Sequence, residues 1–299
     1  MFSGLNLRHI RLVGSYWMRF SLRTGGGLMA IFLVLFSGLM VAHLFITPVE
    51  GLIDRASMDG HTQGEAADDI ARVAESEAIV NAVKWITGQD QAEVEYLLRE
   101  QPALLSVIWL MLLLLFPFVT SIGSFNQTAG DIGNRGLRYL LLRTERSNIY
   151  LGRTLGTLYF STASLILLMI LVLLYVGLKL NLYSFGALMG SGVQGFLALL
   201  FLSLPYITLC GWVSSLFDSA FASLAICLVL VGAPIIAISA IDANTHADLE
   251  WLERLLPWGW KYELLSGDIG TRLTAYAVML GFTLLFLLLG MRHFNRRDL

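Results

Sequence analysis

An all-α polytopic membrane protein with six transmembrane helices is the fold this sequence predicts, and three observations predict it. Six apolar runs free of Asp, Glu, Lys and Arg divide the chain, at 28–46, 103–125, 155–178, 190–217, 219–241 and 273–291. Each holds about 19 residues or more, which at about 1.5 Å per residue crosses a hydrocarbon core of about 30 Å. The chain is 56% hydrophobic and only 14% charged, with a mean hydropathy of +0.70, outside the balance of a soluble domain. Finally, the arginines gather on alternate connections, as they do where loops sort by side of a bilayer.

The segments 1–24, 126–153, Asp218 and 292–299 hold 12 Lys/Arg and 4 Asp/Glu, whereas 47–102, 179–184 and 242–272 hold 8 and 18. An even number of spans puts both termini on one side, and the arginine excess predicts that this side is cytoplasmic. Acidic residues add little to that rule, so the weight rests on Arg19, Arg23, Arg153, Arg292, Arg296 and Arg297.

Residues 1–24 predict an amphipathic cytoplasmic interface helix ahead of a six-span domain, 25–299. Ile10, Val13, Trp17 and Phe20 share one face, with Arg8, Arg11, Arg19 and Arg23 opposite. Such a helix lies among acyl chains with its guanidiniums near anionic headgroups, as an orientation anchor, a docking support or both. The first apolar run is too long for a cleaved signal peptide and lacks a small-residue cleavage pattern, so it reads as a retained span.

Between spans 1 and 2 the acidic insert 47–102 has a helical pattern at Ile70, Val73, Val80, Val83 and Ile86. Gly88 breaks it, and Asp90 with Glu93 resembles a capping box before Val94, Leu97 and Leu98. A small extracytoplasmic helical hairpin is expected. The connection 126–153 then carries Arg135, Arg138, Arg143, Arg146 and Arg153 against Asp131 and Glu145. It is long enough for a helix of its own, with Leu137, Leu140 and Leu141 at helical spacing, and so offers a shaped surface at the inner membrane face.

In spans 3 and 4, Ser161, Thr162, Ser164, Ser203 and Thr208 are expected to bond their own backbone or a neighbouring helix, and Gln194 is a further polar group at depth. Pro117, Pro205 and Pro234 are potential kinks. Gly152 with Gly156, and Gly186 with Gly190, match the small-residue dimer motif, a weak signal in a chain of 28 glycines. Cys210 and Cys227 fall inside spans and read as packed thiols. The connection 242–272 holds Pro257, Trp258, Gly259, Trp260 and Tyr262, which predict a re-entrant or interfacial element, or a plain aromatic belt.

Several chemistries are missing. None of Lys84, Lys179 and Lys261 follows a glycine, so a phosphate-cradling loop is excluded. Neither H-E-x-x-H nor G-x-S-x-G occurs, and the five histidines have no ligand spacing, which argues against an enzyme and a metal site. The spans contain one imidazole, His43, near the outer end of the first, and no Asp, Glu, Lys or Arg. An ion-coupled carrier is therefore disfavoured, and any transport must draw its energy from outside the chain.

Within 126–153 the succession Asp131, Gly136, Leu140, Leu141 and Leu142, Arg146, Gly152 and Arg153 resembles the permease subunits of type-2 ABC transporters, the six-span halves of many bacterial exporters. The ending Phe294, Asn295, Arg296, Arg297 and Asp298 is similar to that family's usual one. The resemblance implies a coupling helix seated in a cleft of a separate P-loop ATPase, with Arg135, Arg138, Arg143 and Arg146 pairing with its acidic groups and Leu137 and Leu140 filling an apolar notch. Helix 1–24, through Arg8, Arg11, Trp17, Arg19 and Phe20, would support it. A loop that only sets topology is the competing reading.

The expected function is thus the permease subunit of an ATP-driven exporter in the bacterial cytoplasmic (inner) membrane. Two ATPase copies would carry ATP and Mg, and this chain would need no cofactor. A second permease, most simply a homodimer partner, and membrane lipids complete the expected partners, with no nucleic acid. The rival is a non-transporting permease-like scaffold that acts on an envelope complex through the 47–102 hairpin.

Overall fold

A computed structural model describes residues 5–58, 80–81, 83–84, 91–134, 136–180, 183–245 and 250–297, by backbone alone at 52–58, 239, 242–245 and 250. In chain order the helices are α1 (Leu7–Arg23), α2 (Gly25–Met58), α3 (Gln91–Glu95) with a π turn over Tyr96–Glu100, and α4 (Ala103–Ser124). Two short helices follow, α5 (Ala129–Gly133) and α6 (Leu137–Leu141), then α7 (Arg146–Leu180), α8 (Phe185–Leu216) and α9 (Ala220–Thr245). After α10 (Glu250–Glu253) come 3-10 turns over Pro257–Trp260 and Glu263–Leu265, and α11 (Ile269–Arg296) ends the fold. No strand occurs among the described residues. Six of these helices contain stretches long and apolar enough to cross a membrane, in the six predicted places. This is an all-helical, multi-pass membrane protein.

Two boundaries differ most from hydropathy. Helix α7 begins at Arg146 rather than at 155, and α2 runs past 46 to Met58 with Pro48 inside it. Arginine is a good helix former, so Arg146 and Arg153 lower the hydropathy without stopping the helix. Of the predicted hairpin, Ile70, Val73, Ile86, Gly88 and Asp90 lie outside the described residues. Its last turns, 91–100, are helical and bury Val94, Leu97 and Leu98 against the bundle.

Helix α8 is the central element, with 67% of its apolar window buried against 17% for the peripheral α11. It packs on α4, α7, α9 and α11. Trp109 of α4 lies flat on its backbone, where a Cβ at Gly195 would stand 2.4 Å from the indole. The hydroxyls behave as their chemistry predicts. Ser164 donates to the Phe160 carbonyl (2.9 Å), Ser203 to Leu200 (2.7 Å) and Thr208 to Pro205 (3.1 Å). Cys210 and Cys227 are buried and unbridged.

At the end of the bundle away from the termini, the 91–100 piece and the 257–268 turns hold one another. Glu93 accepts from Ser266 Oγ (2.7 Å) and Gly267 N (3.1 Å), and Gln194 of α8 donates to the Leu265 carbonyl (2.9 Å). Leu264 and Leu265 belong to the main core, so the aromatic connection folds back into the bundle instead of only girdling it. Lys261 is buried there, its Nζ 4.5 Å from the Trp258 ring centroid and 4.1 Å from that of Tyr262. Loss of hydration pushes its ammonium down to about 8, against the opposing pull of Glu253 and Glu263. On α2, His43 bonds the Tyr175 hydroxyl (2.8 Å), and Glu50 pairs with Lys179 (2.8 Å).

Candidate functional site

The opposite end of the bundle collects residues 5–24, 126–145, the 217–219 turn and the C-terminal turns of α11. Helix α1 is placed by a close crossing. Asn6 caps it, accepting from the Arg8 and His9 amides, and its own N–H bonds Asn148 Oδ1 (3.0 Å). The helix then runs alongside the first turns of α7 in the same direction. A Cβ at Gly152 would stand 2.6 Å from Val13 Cβ, and one at Gly156 would stand 2.6 Å from the Gly14 carbonyl. The glycine pair that resembled a dimer motif is therefore used within the chain, where it lets two backbones touch. Trp17 Nε1 closes the contact on Thr157 Oγ1 (3.1 Å).

The 126–145 connection is folded inward along its first half. Gln127 is buried, donating to the Ile207 carbonyl (2.8 Å) and accepting from Thr154 Oγ1 (3.3 Å). Ser214 Oγ of α8 accepts the Thr128 and Ala129 amides, each at 2.9 Å. Arg153, only 4% exposed, reaches across from α7 to the Gln127 carbonyl (2.6 Å) and to the Asp131 carboxylate, with Trp17 stacked 4.6 Å from its guanidinium. One buried cation thus ties together α1, α5 and α7. Its charge is met by a carboxylate, a carbonyl and a ring face, the complement a buried guanidinium requires.

The second half folds over the end of α11. Leu137, 1% exposed, packs with Ile149, Tyr150, Met291 and Phe294, flanked by Leu140 and Leu141. Arg146 donates to the carbonyls of Asn295 and Arg297, capping α11, and Asn295 Nδ2 donates to Ser147 Oγ (2.9 Å). Arg297 in turn binds Asp218 and the Ser215 carbonyl. The C-terminal residues therefore fasten the α8–α9 turn to α7.

The predicted site residues divide accordingly. Asp131, Leu137, Arg146, Gly152 and Arg153 hold the fold together, and Leu140 is half-buried among them; of the side chains expected to meet a partner's notch and acidic groups, Leu137 and Arg146 are turned inward. Arg138 and Arg143 are exposed at the tip, Gly136 is half-buried beside Asp131, and Arg135 lies outside the described residues. Arg8, Arg11, Arg19 and Phe20 are exposed on α1, and Trp17 is half-buried. Sequence reasoning missed Tyr139, 78% exposed, and had Leu142, 84% exposed, only as part of a leucine turn; both stand with Arg138 and Arg143 on the tip of α6. It also expected one helix here, where two five-residue helices form. At the end of the first, Gly133 lets the backbone pass close to the α8–α9 turn, since a Cβ there would stand 2.2 Å from the Asp218 carbonyl.

A groove of about 590 Å³ opens between α1 and this connection, lined by Leu12, Tyr16, Phe20, Tyr139, Leu140 and Arg143 among others. A more polar recess of about 790 Å³ lies beside it, around Asn6, Arg146, Asn148 and Asn295. Among the described residues no cluster of His, Cys, Asp or Glu could hold a metal ion.

Residues 78–299 match the family described as proteins of unknown function, DUF2705, and the chain belongs to that family. No curated protein matches it.

Proposed function

We propose that the chain is the membrane-spanning permease subunit of an ATP-driven ABC exporter, docked to a separate P-loop ATPase on the cytoplasmic side. The observation that carries this reading is the build of the 126–145 connection. An exposed tip of Arg138, Tyr139, Leu142 and Arg143 sits on a base whose polar groups are bonded to α7 and α8 and whose Leu137 packs on the end of α11. Guanidiniums beside an aromatic ring and an aliphatic side chain make a suitable protein-docking patch, because the ring and chain supply apolar area and the cations select an acidic cleft. In this reading two such permeases and two ATPases alternate access at the permease interface, and nucleotide-driven closure moves the tips as rigid levers.

Co-expression with P-loop ATPases of the same genome, followed by ATP turnover in proteoliposomes, tests the proposal. One ATPase should co-purify and be stimulated by the chain, and Arg138→Glu with Arg143→Glu should abolish the stimulation while leaving membrane insertion intact. Undiminished stimulation in that double variant would overturn the docking surface. ATP hydrolysis or solute movement by the chain alone would overturn the whole assignment.

A further inference from the structure

The groove beside α1 has a composition that the docking tip does not explain. Its α1 wall is Leu12, Tyr16 and Phe20, one below another at four-residue spacing and all exposed, and its far wall is Tyr139 and Leu140. Exposed apolar side chains on both walls of one trough are costly in water and suit an acyl chain. The charge around the trough is mainly positive. Helix α1 carries Arg8, Arg11, Arg19 and Arg23, all exposed, and no acidic residue. Arg143 stands on the opposite wall, and among the described lining residues the one carboxylate, Asp131, is already bound to Arg153. By helical period Arg19 and Arg23 flank the Leu12–Tyr16–Phe20 stripe, which puts cations along its border. The groove also adjoins the bilayer: Phe20 is one turn before the hinge into α2, whose first turns expose Leu28, Met29 and Phe32.

We propose that this groove binds an anionic phospholipid, with an acyl chain between the α1 stripe and Tyr139 and Leu140 and the phosphate at Arg19 and Arg23, at the end of the groove next to the bilayer. An apolar slot bordered by uncompensated guanidiniums fits a molecule with a hydrocarbon tail and a negative head joined at the membrane boundary. A neutral peptide segment would satisfy the slot but not the charge, and a soluble anion the reverse. The bound lipid fills the gap between α1 and α6. The inference does not rest on the ATPase assignment, although Tyr139 and Arg143 border both surfaces.

The full chain, reconstituted in vesicles containing phosphatidylglycerol or phosphatidylcholine with brominated acyl chains, provides the test. Trp17 lines the groove, and its quenching is isolated as the difference between wild type and Trp17→Phe. Half-maximal quenching should need at least about fivefold less brominated phosphatidylglycerol than phosphatidylcholine, and Arg19→Gln should remove about fivefold of that preference. Leu12→Glu should abolish the quenching with either lipid. Equal curves for the two lipids would mean ordinary bilayer contact and would overturn the proposal, as would no quenching. Glycerol phosphate displacing the lipid as strongly as whole phosphatidylglycerol would show a plain anion site and overturn it too. Since Trp17→Phe alters the α1 crossing, native mass spectrometry of phosphatidylglycerol retained by unlabelled wild type and Arg19→Gln supplies an independent reading. Retention should be lost in the variant, and equal retention would overturn the proposal.

Discussion

Replacing Gly156 with alanine should pry α1 from α7. The added Cβ would stand 2.6 Å from the Gly14 carbonyl oxygen and 2.9 Å from Trp17 Cβ, where ordinary contact begins near 3.4 Å. The nearest obstacle is backbone, so α1 must retreat by most of an ångström. Overpacking of this kind costs about 1–3 kcal/mol, and the better helix propensity of alanine returns about 0.5–1 kcal/mol, leaving a net loss of up to about 2.5 kcal/mol. Gly152→Ala meets Val13 Cβ at 2.6 Å and the Ile10 carbonyl at 2.9 Å, and should cost as much. Both methyls push on the same helix, so the double variant should lose less than the sum, because the first displacement makes room for the second. Gly186 and Gly190 match the same spacing motif but have nothing within 4 Å, so alanine there should stabilise by about 0.5–1 kcal/mol. Thermal unfolding in detergent gives the ranking, and a red shift of Trp17 emission reports whether α1 has lifted. Gly156→Ala as stable as Gly190→Ala, with unshifted emission, would refute the crossing, and strict additivity would refute the shared displacement.

Arg153→Met should destabilise by about 2–3 kcal/mol in the same unfolding assay, below the roughly 3–5 kcal/mol of a wholly buried pair because Asp131 keeps contact with water. Arg138→Glu, on the exposed tip, should change stability by less than about 0.5 kcal/mol. Arg146→Glu should cost about 1.5–3 kcal/mol, since it points a carboxylate at the Asn295 and Arg297 carbonyls. Lys261 gives a pH signature: the ammonium titrates at about 8 in the fold and near 10.4 in an unfolded chain. The folded state therefore binds fewer protons in that interval, and stability should rise as pH climbs from about 8 towards about 10. Unfolding midpoints across that range should show the rise in wild type and not in Lys261→Met.

The spans were legible because burial in lipid demands the same property from every residue of a long run, and hydropathy sums it. Their ends were less so. Arg146 and Arg153 resembled loop residues because charge alone cannot report that a guanidinium will find Asp131, the Gln127 carbonyl and Trp17 inside the fold. The same limit hid the split among the arginines of 126–153, since Arg138 and Arg146 differ in partners that lie far off in sequence. Leu137 and Leu142 show it for apolar side chains, one buried against Phe294 and the other open to solvent. The glycine spacing at 152 and 156 was visible, yet its partner was helix α1, about 140 residues away, and a motif of spacing does not name what approaches it.

On the proposed reading, the connection between α4 and α7 must carry force, and a loop can do so only if it cannot yield. A pushed surface loop with solvated backbone loses displacement in its own soft dihedrals. Here the side chains that give a plain basic loop its appearance are spent on stiffening. Ser214 holds the Thr128 and Ala129 amides to the central helix α8, Arg153 clamps α5 to α1 and α7, and Arg146 with Arg297 binds the end of α11 to α7 and to the α8–α9 turn. Any displacement of Tyr139 and Leu142 must then either move α8 with it or break several buried hydrogen bonds, each costing about 1–3 kcal/mol once its partner is left unpaired. Moving the helix is the cheaper course, provided the bilayer and a partner subunit let it tilt. The inward arginines are thus as necessary to a lever as the outward ones, because contact at the tip has consequences only where the base is fixed.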